Sequence, residues 1–132
     1  MSDKNVAMIE GAYEAFGRGD IPGILEVLTD DVEWHAPAVL PQGMDTTGKD
    51  GVTEFFGKVA GNWDDLQVEI DGIVASDDRV CAIGRAAGEL EGTRTGYRFV
   101  HAWTIRDGLC ARFDEYADPA PEVVAAATAA LA

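Results

Sequence analysis

His101 and Glu115 flank the turn-like sequence Arg106-Asp107-Gly108. An imidazole and a carboxylate on paired strands can hand a proton between them and to a bound molecule. Around His101, residues Tyr97, Phe99, Trp103 and Ile105 alternate with smaller or polar neighbours, the period-two pattern of a strand with one buried face. A histidine inside that row is either a hydrogen-bonded core residue or an acid/base group in a pocket. Upstream, strict alternation along 79–91 places Cys81, Ile83, Arg85 and Ala87 on the inner face. A buried cation must be paired, and Glu115 is the natural partner for Arg85. The chemistry expected of His101, Glu115 and Arg85 together is proton transfer: from carbon, to an oxygen, or through a water. Trp34, Phe55, Phe56, Tyr97, Phe99, Trp103 and Phe113 would ring the substrate. In the purely structural alternative, Arg85 and Glu115 form a stabilising pair and His101 donates to a backbone carbonyl.

Register decides which side chains meet. A two-residue Asp107-Gly108 turn sets His101 opposite Asp114 and Trp103 opposite Arg112. A three-residue turn with Gly108 left-handed sets His101 opposite Phe113 and Phe99 opposite Glu115. The three-residue turn is preferred, because it gathers Leu109, Ala111 and Phe113 on the side of Ile105, Trp103 and His101. Glu115 then lies diagonal to His101.

Other reactive types are less promising. His35 falls at a strand edge, pointing away from Trp34, and Tyr13 on the first helix is within reach of the cavity but reads as core. The histidines lack the spacing and carboxylate partners of a metal site, so no metal is expected. No phosphate-binding glycine loop, serine elbow or Cys-His pairing occurs. Cys81 and Cys110 read as core or half-buried thiols, and the pairs Asp30-Asp31, Asp64-Asp65 and Asp77-Asp78 as caps and turns.

The elements that position these groups follow from periodicity. Val6, Ile9, Tyr13 and Phe16 have helical spacing, ended by Gly17-Arg18-Gly19. Asp20 caps a second short helix with Pro22 in its first turn and Ile21, Ile24, Leu25 and Leu28 on one face. Val32 to Ala36 forms a strand ended by Pro37, and a loop runs to Thr47. Thr47-Gly48-Lys49-Asp50 opens a third helix that buries Val52, Phe55, Phe56 and Val59 and stops near Gly61-Asn62. Strands follow at 66–76, 79–91, 94–106 and 109–117, then Asp118-Pro119 starts a helix reaching Leu131. Helices gathered first and strands last give an α+β fold, one curved antiparallel sheet with the N-terminal helices closing its concave face. The hollow beneath them is the default ligand site.

The 132 residues carry a formal net charge of −14. The length fits a single domain over 1–132. That charge excludes the basic footprint needed for nucleic acid or an anionic membrane surface. Neither a leader-like apolar run nor a stretch long enough to span a bilayer is evident, so a cytoplasmic location is expected.

The motifs Phe99-Val-His-Ala-Trp-Thr-Ile-Arg-Asp-Gly, Arg112-Phe-Asp-Glu-Tyr-Ala-Asp and Val32-Glu-Trp-His-Ala-Pro carry a family likeness. Over residues 4–120 the chain resembles the SnoaL-like polyketide cyclases and ketosteroid isomerase-related proteins of the nuclear-transport-factor-2-like superfamily. The resemblance implies a cone-shaped α+β barrel and a homodimer packed through the outer sheet face. Steroid isomerases of this fold use an aspartate on the first strand, a tyrosine on the first helix and an aspartic acid on the penultimate strand. Ala36, Ala12 and His101 fall at those places, which argues against steroid isomerisation. Cyclases of the family employ a histidine and an aspartate on the last two strands, and His101 and Glu115 match that pair. The epoxide hydrolases need an Asp-Arg-Asp set, of which Arg85 would be the centre. The expectation is therefore a cofactor-independent isomerase, cyclase or related lyase acting on a small hydrophobic carbonyl or polyketide-like molecule. The competing readings are a non-catalytic small-molecule-binding domain, an epoxide hydrolase and a purely structural dimer module.

Overall fold

The computed structural model describes residues 2–131; Met1 and Ala132, the ends of the expected domain, lie outside the described residues. The elements are α1 (Ser2–Gly17), α2 (Ile21–Leu25), β1 (Leu28–Ala36), β2 (Met44–Thr47), α3 (Gly48–Asn62), β3 (Asp64–Ser76), β4 (Arg79–Leu90), β5 (Thr93–Arg106), β6 (Leu109–Pro119) and α4 (Pro121–Leu131). The α+β class and the long strands are those the sequence implies. The strands form one curved sheet in the order β2-β1-β6-β5-β4-β3, left open at its ends. Within it β1 runs parallel to β6, while the other neighbouring pairs are antiparallel.

Local chemistry explains most boundaries. Asp20 accepts from the Gly23 amide at 3.0 Å and starts α2, as its type and position predict. Leu28 begins β1 instead of extending the helix. The segment expected to be loop up to Thr47 contains β2, four residues paired to the end of β1. Thr47 stands at the N-cap of α3 without a side-chain bond. The last helix starts at Pro121, because Asp118 and Pro119 still pair with Arg98 and Tyr97. Among the described residues, no helix is long and apolar enough to cross a membrane.

Two register findings correct the sequence reading. On β4 the inward set is Val80, Ala82, Gly84 and Ala86, and Cys81, Ile83, Arg85 and Ala87 face outward or half outward. The reason is volume. These four small residues pair with Trp103, His101, Phe99 and Tyr97 on β5, whose rings need the interior space. Arg85 therefore sits on the outer face, beside Glu69 at 3.1 Å and Asp71 at 3.6 Å.

The β5–β6 turn is the two-residue kind, with Asp107 and Gly108 both at positive φ. One residue later the ladder slips. Ile105 pairs with Cys110, yet Thr104 pairs with Arg112, so Ala111 is an extra residue in β6. Beyond this bulge Trp103 faces Phe113 and His101 faces Glu115. Neither register read from sequence included it.

Gly84 marks a tight point of this packing: a Cβ there would lie 2.3 Å from the Glu69 carbonyl oxygen and 2.9 Å from the Phe99 ring. Gly84→Ala is expected to destabilise the protein by about 1–3 kcal/mol, seen as a lower urea midpoint at constant slope. An unchanged midpoint would show that β3 gives way freely.

Candidate active site

The interior is divided between two apolar clusters. One centres on Trp34, Phe55, Trp103 and Phe113, the other on Leu40, Trp63, Tyr97, Phe99 and Val123. His101 and Glu115 lie at the seam. His101 stacks on Phe99 at 3.8 Å between ring centroids and meets Phe113 edge-on at 4.9 Å. A cavity opens here, offering about 60 Å³ to the centres of water-sized molecules, enough for several waters or a small organic group.

Of the residues expected around a substrate, Trp34, Phe55, Phe56, Tyr97, Trp103 and Phe113 line this cavity. Phe99 stands behind His101 as its stacking partner. His101 and Glu115 also line it, and the His101 Nε2–Glu115 Oε2 distance is 2.7 Å. Their side chains are 10% and 4% exposed, so this is a buried pair shielded from screening. Arg85 is absent from the site. Its guanidinium is held in its charged form by Glu69 and Asp71 outside, so it neither pairs with Glu115 nor centres an epoxide-hydrolase triad.

The third polar member of the site is a residue that sequence reasoning assigned to the core. Tyr13 reaches down from α1, and its hydroxyl lies 2.6 Å from His101 Nδ1. The Trp103 indole donates to the same hydroxyl at 3.0 Å. An indole nitrogen can only donate, so the Tyr13 oxygen accepts from Trp103 and its proton points to His101 Nδ1. His101 then carries its hydrogen on Nε2, donated to Glu115. Every hydrogen in the chain Trp103–Tyr13–His101–Glu115 has an acceptor. The reverse arrangement, with hydrogen on Nδ1, leaves the Tyr13 proton stranded. Burial pushes the Tyr13 hydroxyl far above the ordinary phenol range, with the nearby Glu115 charge adding to it, so Tyr13 stays a neutral donor. Among the described residues, Glu115 Oε1 has no hydrogen-bond partner.

Other candidates stand apart. His35 points away from Trp34 as expected, bonding Asp45 at 2.8 Å at the sheet's edge. Burial pushes the Cys110 thiol up to about 12, leaving it protonated and inert at neutral pH. Among the described residues, no three His, Cys, Asp or Glu side chains gather as a metal site would require.

Comparison with known proteins adds a framework. The profile of the SnoaL-like domain matches residues 9–113. An NTF2-like protein of unknown function from Burkholderia pseudomallei K96243 is 29% identical, covers 89% of this chain and 92% of its own, and superposes with a TM-score of 0.82. TerC, co-crystallised with polyporic acid, is 31% identical over 87% of this chain and 92% of its own, with a TM-score of 0.80. A candidate polyketide cyclase from Xanthomonas campestris pv. campestris, 22% identical over 96% and 98% of the two chains at a TM-score of 0.74, shares the fold. Comparison with curated proteins gives no match.

The hydrogen-bond chain makes a spectroscopic prediction. Long-range ¹⁵N–¹H correlation at neutral pH should show His101 with its hydrogen on Nε2 and an acceptor-type Nδ1. Tyr13→Phe should move the Nδ1 resonance and cost about 1–3 kcal/mol of stability, since the buried Trp103 N–H loses its acceptor. A hydrogen on Nδ1 in the unaltered protein would overturn the assignment.

Proposed function

The chain belongs to the SnoaL-like domain family, and from that premise we propose that it is a cofactor-independent acid/base enzyme. Its substrate would be a small hydrophobic carbonyl or polyketide-like molecule, and its reaction an isomerisation, cyclisation or related elimination. The observation that carries this reading is the buried His101–Glu115 bond at 2.7 Å in the wall of an aromatic cavity. TerC's co-crystallisation with polyporic acid supports a small organic ligand for this chain.

In the proposed reaction a C–H bond beside a carbonyl breaks and its proton passes to the unpartnered Glu115 Oε1. The electron pair moves onto the carbonyl oxygen as an enolate forms. Glu115 returns the proton at another carbon, so nothing is consumed. His101 holds the second carboxylate oxygen and fixes the rotamer, and Tyr13 and Trp103 fix the imidazole in turn. Aromatic walls exclude water and grip the apolar body of the guest.

A homodimer through the outer sheet face belongs to the same proposal. Ile83, Val100 and Tyr116 are exposed large apolar side chains and are direct cross-strand neighbours on β4, β5 and β6. Such a row on a sheet face is costly to leave in water. Val100→Asp, placed at its centre, should convert a dimer to a monomer by sedimentation velocity. An unchanged sedimentation coefficient would remove that face from the assembly.

Enolisation has a general assay. In D₂O, 2-indanone should exchange its α-hydrogens faster with the protein than in buffer, followed by ¹H NMR. Glu115→Gln and His101→Ala should each reduce the enzymatic component by about 10²-fold or more. Saturable binding of such ketones without accelerated exchange across a panel would favour the non-catalytic binding domain instead.

A further inference from the structure

A second buried polar chain reaches the cavity wall from the second apolar cluster. Trp63 Nε1 donates to Gln42 Oε1 at 3.0 Å, and Gln42 Nε2 donates to the Tyr97 hydroxyl at 2.9 Å. The three residues are 4%, 1% and 7% exposed, and Gln42 and Tyr97 both form part of the cavity wall.

The indole settles the direction of every bond in this chain. Because Trp63 can only donate, the Gln42 carbonyl oxygen must face it, and the amide nitrogen must face Tyr97. The Tyr97 oxygen is thereby an acceptor from Gln42. Its own hydrogen has no acceptor among the described residues, and neither does the second amide hydrogen of Gln42. Two donor hydrogens on adjacent groups are thus left over beside an apolar cavity. Burial and the Glu115 charge hold the Tyr97 phenol far above its ordinary range, so it cannot shed the proton. A buried O–H without an acceptor is unfavourable unless something in the cavity supplies one.

From this geometry we infer that the Tyr97 hydroxyl, oriented by Gln42 and Trp63, receives an acceptor oxygen of the ligand. This deepens the reading above and rests on it. The cavity has an acceptor pole at Glu115 Oε1 and a donor pole at Tyr97. A ligand matching both presents a ketone or quinone oxygen to Tyr97 and an acidic hydrogen to Glu115. Compounds with a methylene or an ammonium group in place of that oxygen leave the Tyr97 proton unpaired and are disfavoured. As the proton leaves carbon, charge gathers on the oxygen facing Tyr97, so the same bond strengthens during reaction.

The test uses 2-indanone and indane, which share a carbon frame and differ by the carbonyl. Binding is followed by heteronuclear NMR titration. The unaltered protein should prefer the ketone by about tenfold, the effect of one buried hydrogen bond. Tyr97→Phe should abolish this preference while indane binding stays the same. An independent readout needs no variant: the infrared carbonyl stretch of bound ¹³C-labelled 2-indanone should lie below its value in an apolar solvent. Equal affinities for the two compounds, a preference that survives in Tyr97→Phe, or an unshifted carbonyl stretch would each overturn the inference. Those results leave the Glu115 exchange reaction standing. Failure of both compounds to bind the unaltered protein would remove the cavity reading and this one together. Loss of exchange chemistry with an intact Tyr97 preference would remove only the enzymatic reading.

Discussion

The hydrogen bond between His101 and Glu115 exists because β6 carries one residue more than β5 between the turn and the site. Without the bulge at Ala111, the two-residue turn would place Asp114 opposite His101, and Glu115 would share the solvent face with Phe113. The extra residue carries both Phe113 and Glu115 inward while Cys110 keeps its place in the core. Bulges raise strand curvature as well as re-aiming side chains. The same insertion thus bends the sheet around the hollow and puts the carboxylate into it.

Two indole nitrogens impose order on what would otherwise be ambiguous hydroxyls and amides. Trp103 fixes Tyr13, and through it the imidazole and the carboxylate. Trp63 fixes the Gln42 amide, and through it Tyr97. Both chains start at a group with one hydrogen and no lone pair to offer, so each can run in one direction only. The first ends in an acceptor and the second in a donor. An apolar cavity with one of each has a built-in polarity that its aromatic lining alone would lack.

Much of this was legible in the sequence, for reasons that also explain the rest. The row from Tyr97 to Ile105 is strictly alternating and heavily aromatic, so its inner face is unambiguous, and the turns at Asp77-Asp78 and Glu91-Gly92 frame its neighbours. On β4 both alternating sets contain small or apolar residues. Only the bulk of the rings across from them decides that Ala82 and Gly84 go inside and Arg85 stays out. Ala111 carries no glycine or proline to betray a bulge. Tyr13 falls on the apolar stripe of α1 with Ile9 and Phe16, and nothing in a helical period tells where a hydroxyl ends. Gln42, between Pro41 and Gly43, has the look of a solvated loop residue. Its burial comes from the turn that seats Leu40 in the second cluster.

The parallel pairing of β1 with β6 has a consequence for how the chain is made. Trp34 finds its ladder partner at Phe113, after nearly the whole sheet has been synthesised. Until the last strand leaves the ribosome, β1 has only the short β2 as a ladder partner, and β5 has only β4. Contacts this distant in sequence slow folding and lengthen the exposure of apolar strands to other chains. The nascent polypeptide therefore completes its interior in one late step, and a truncation before Leu109 would remove the centre of the sheet rather than its margin.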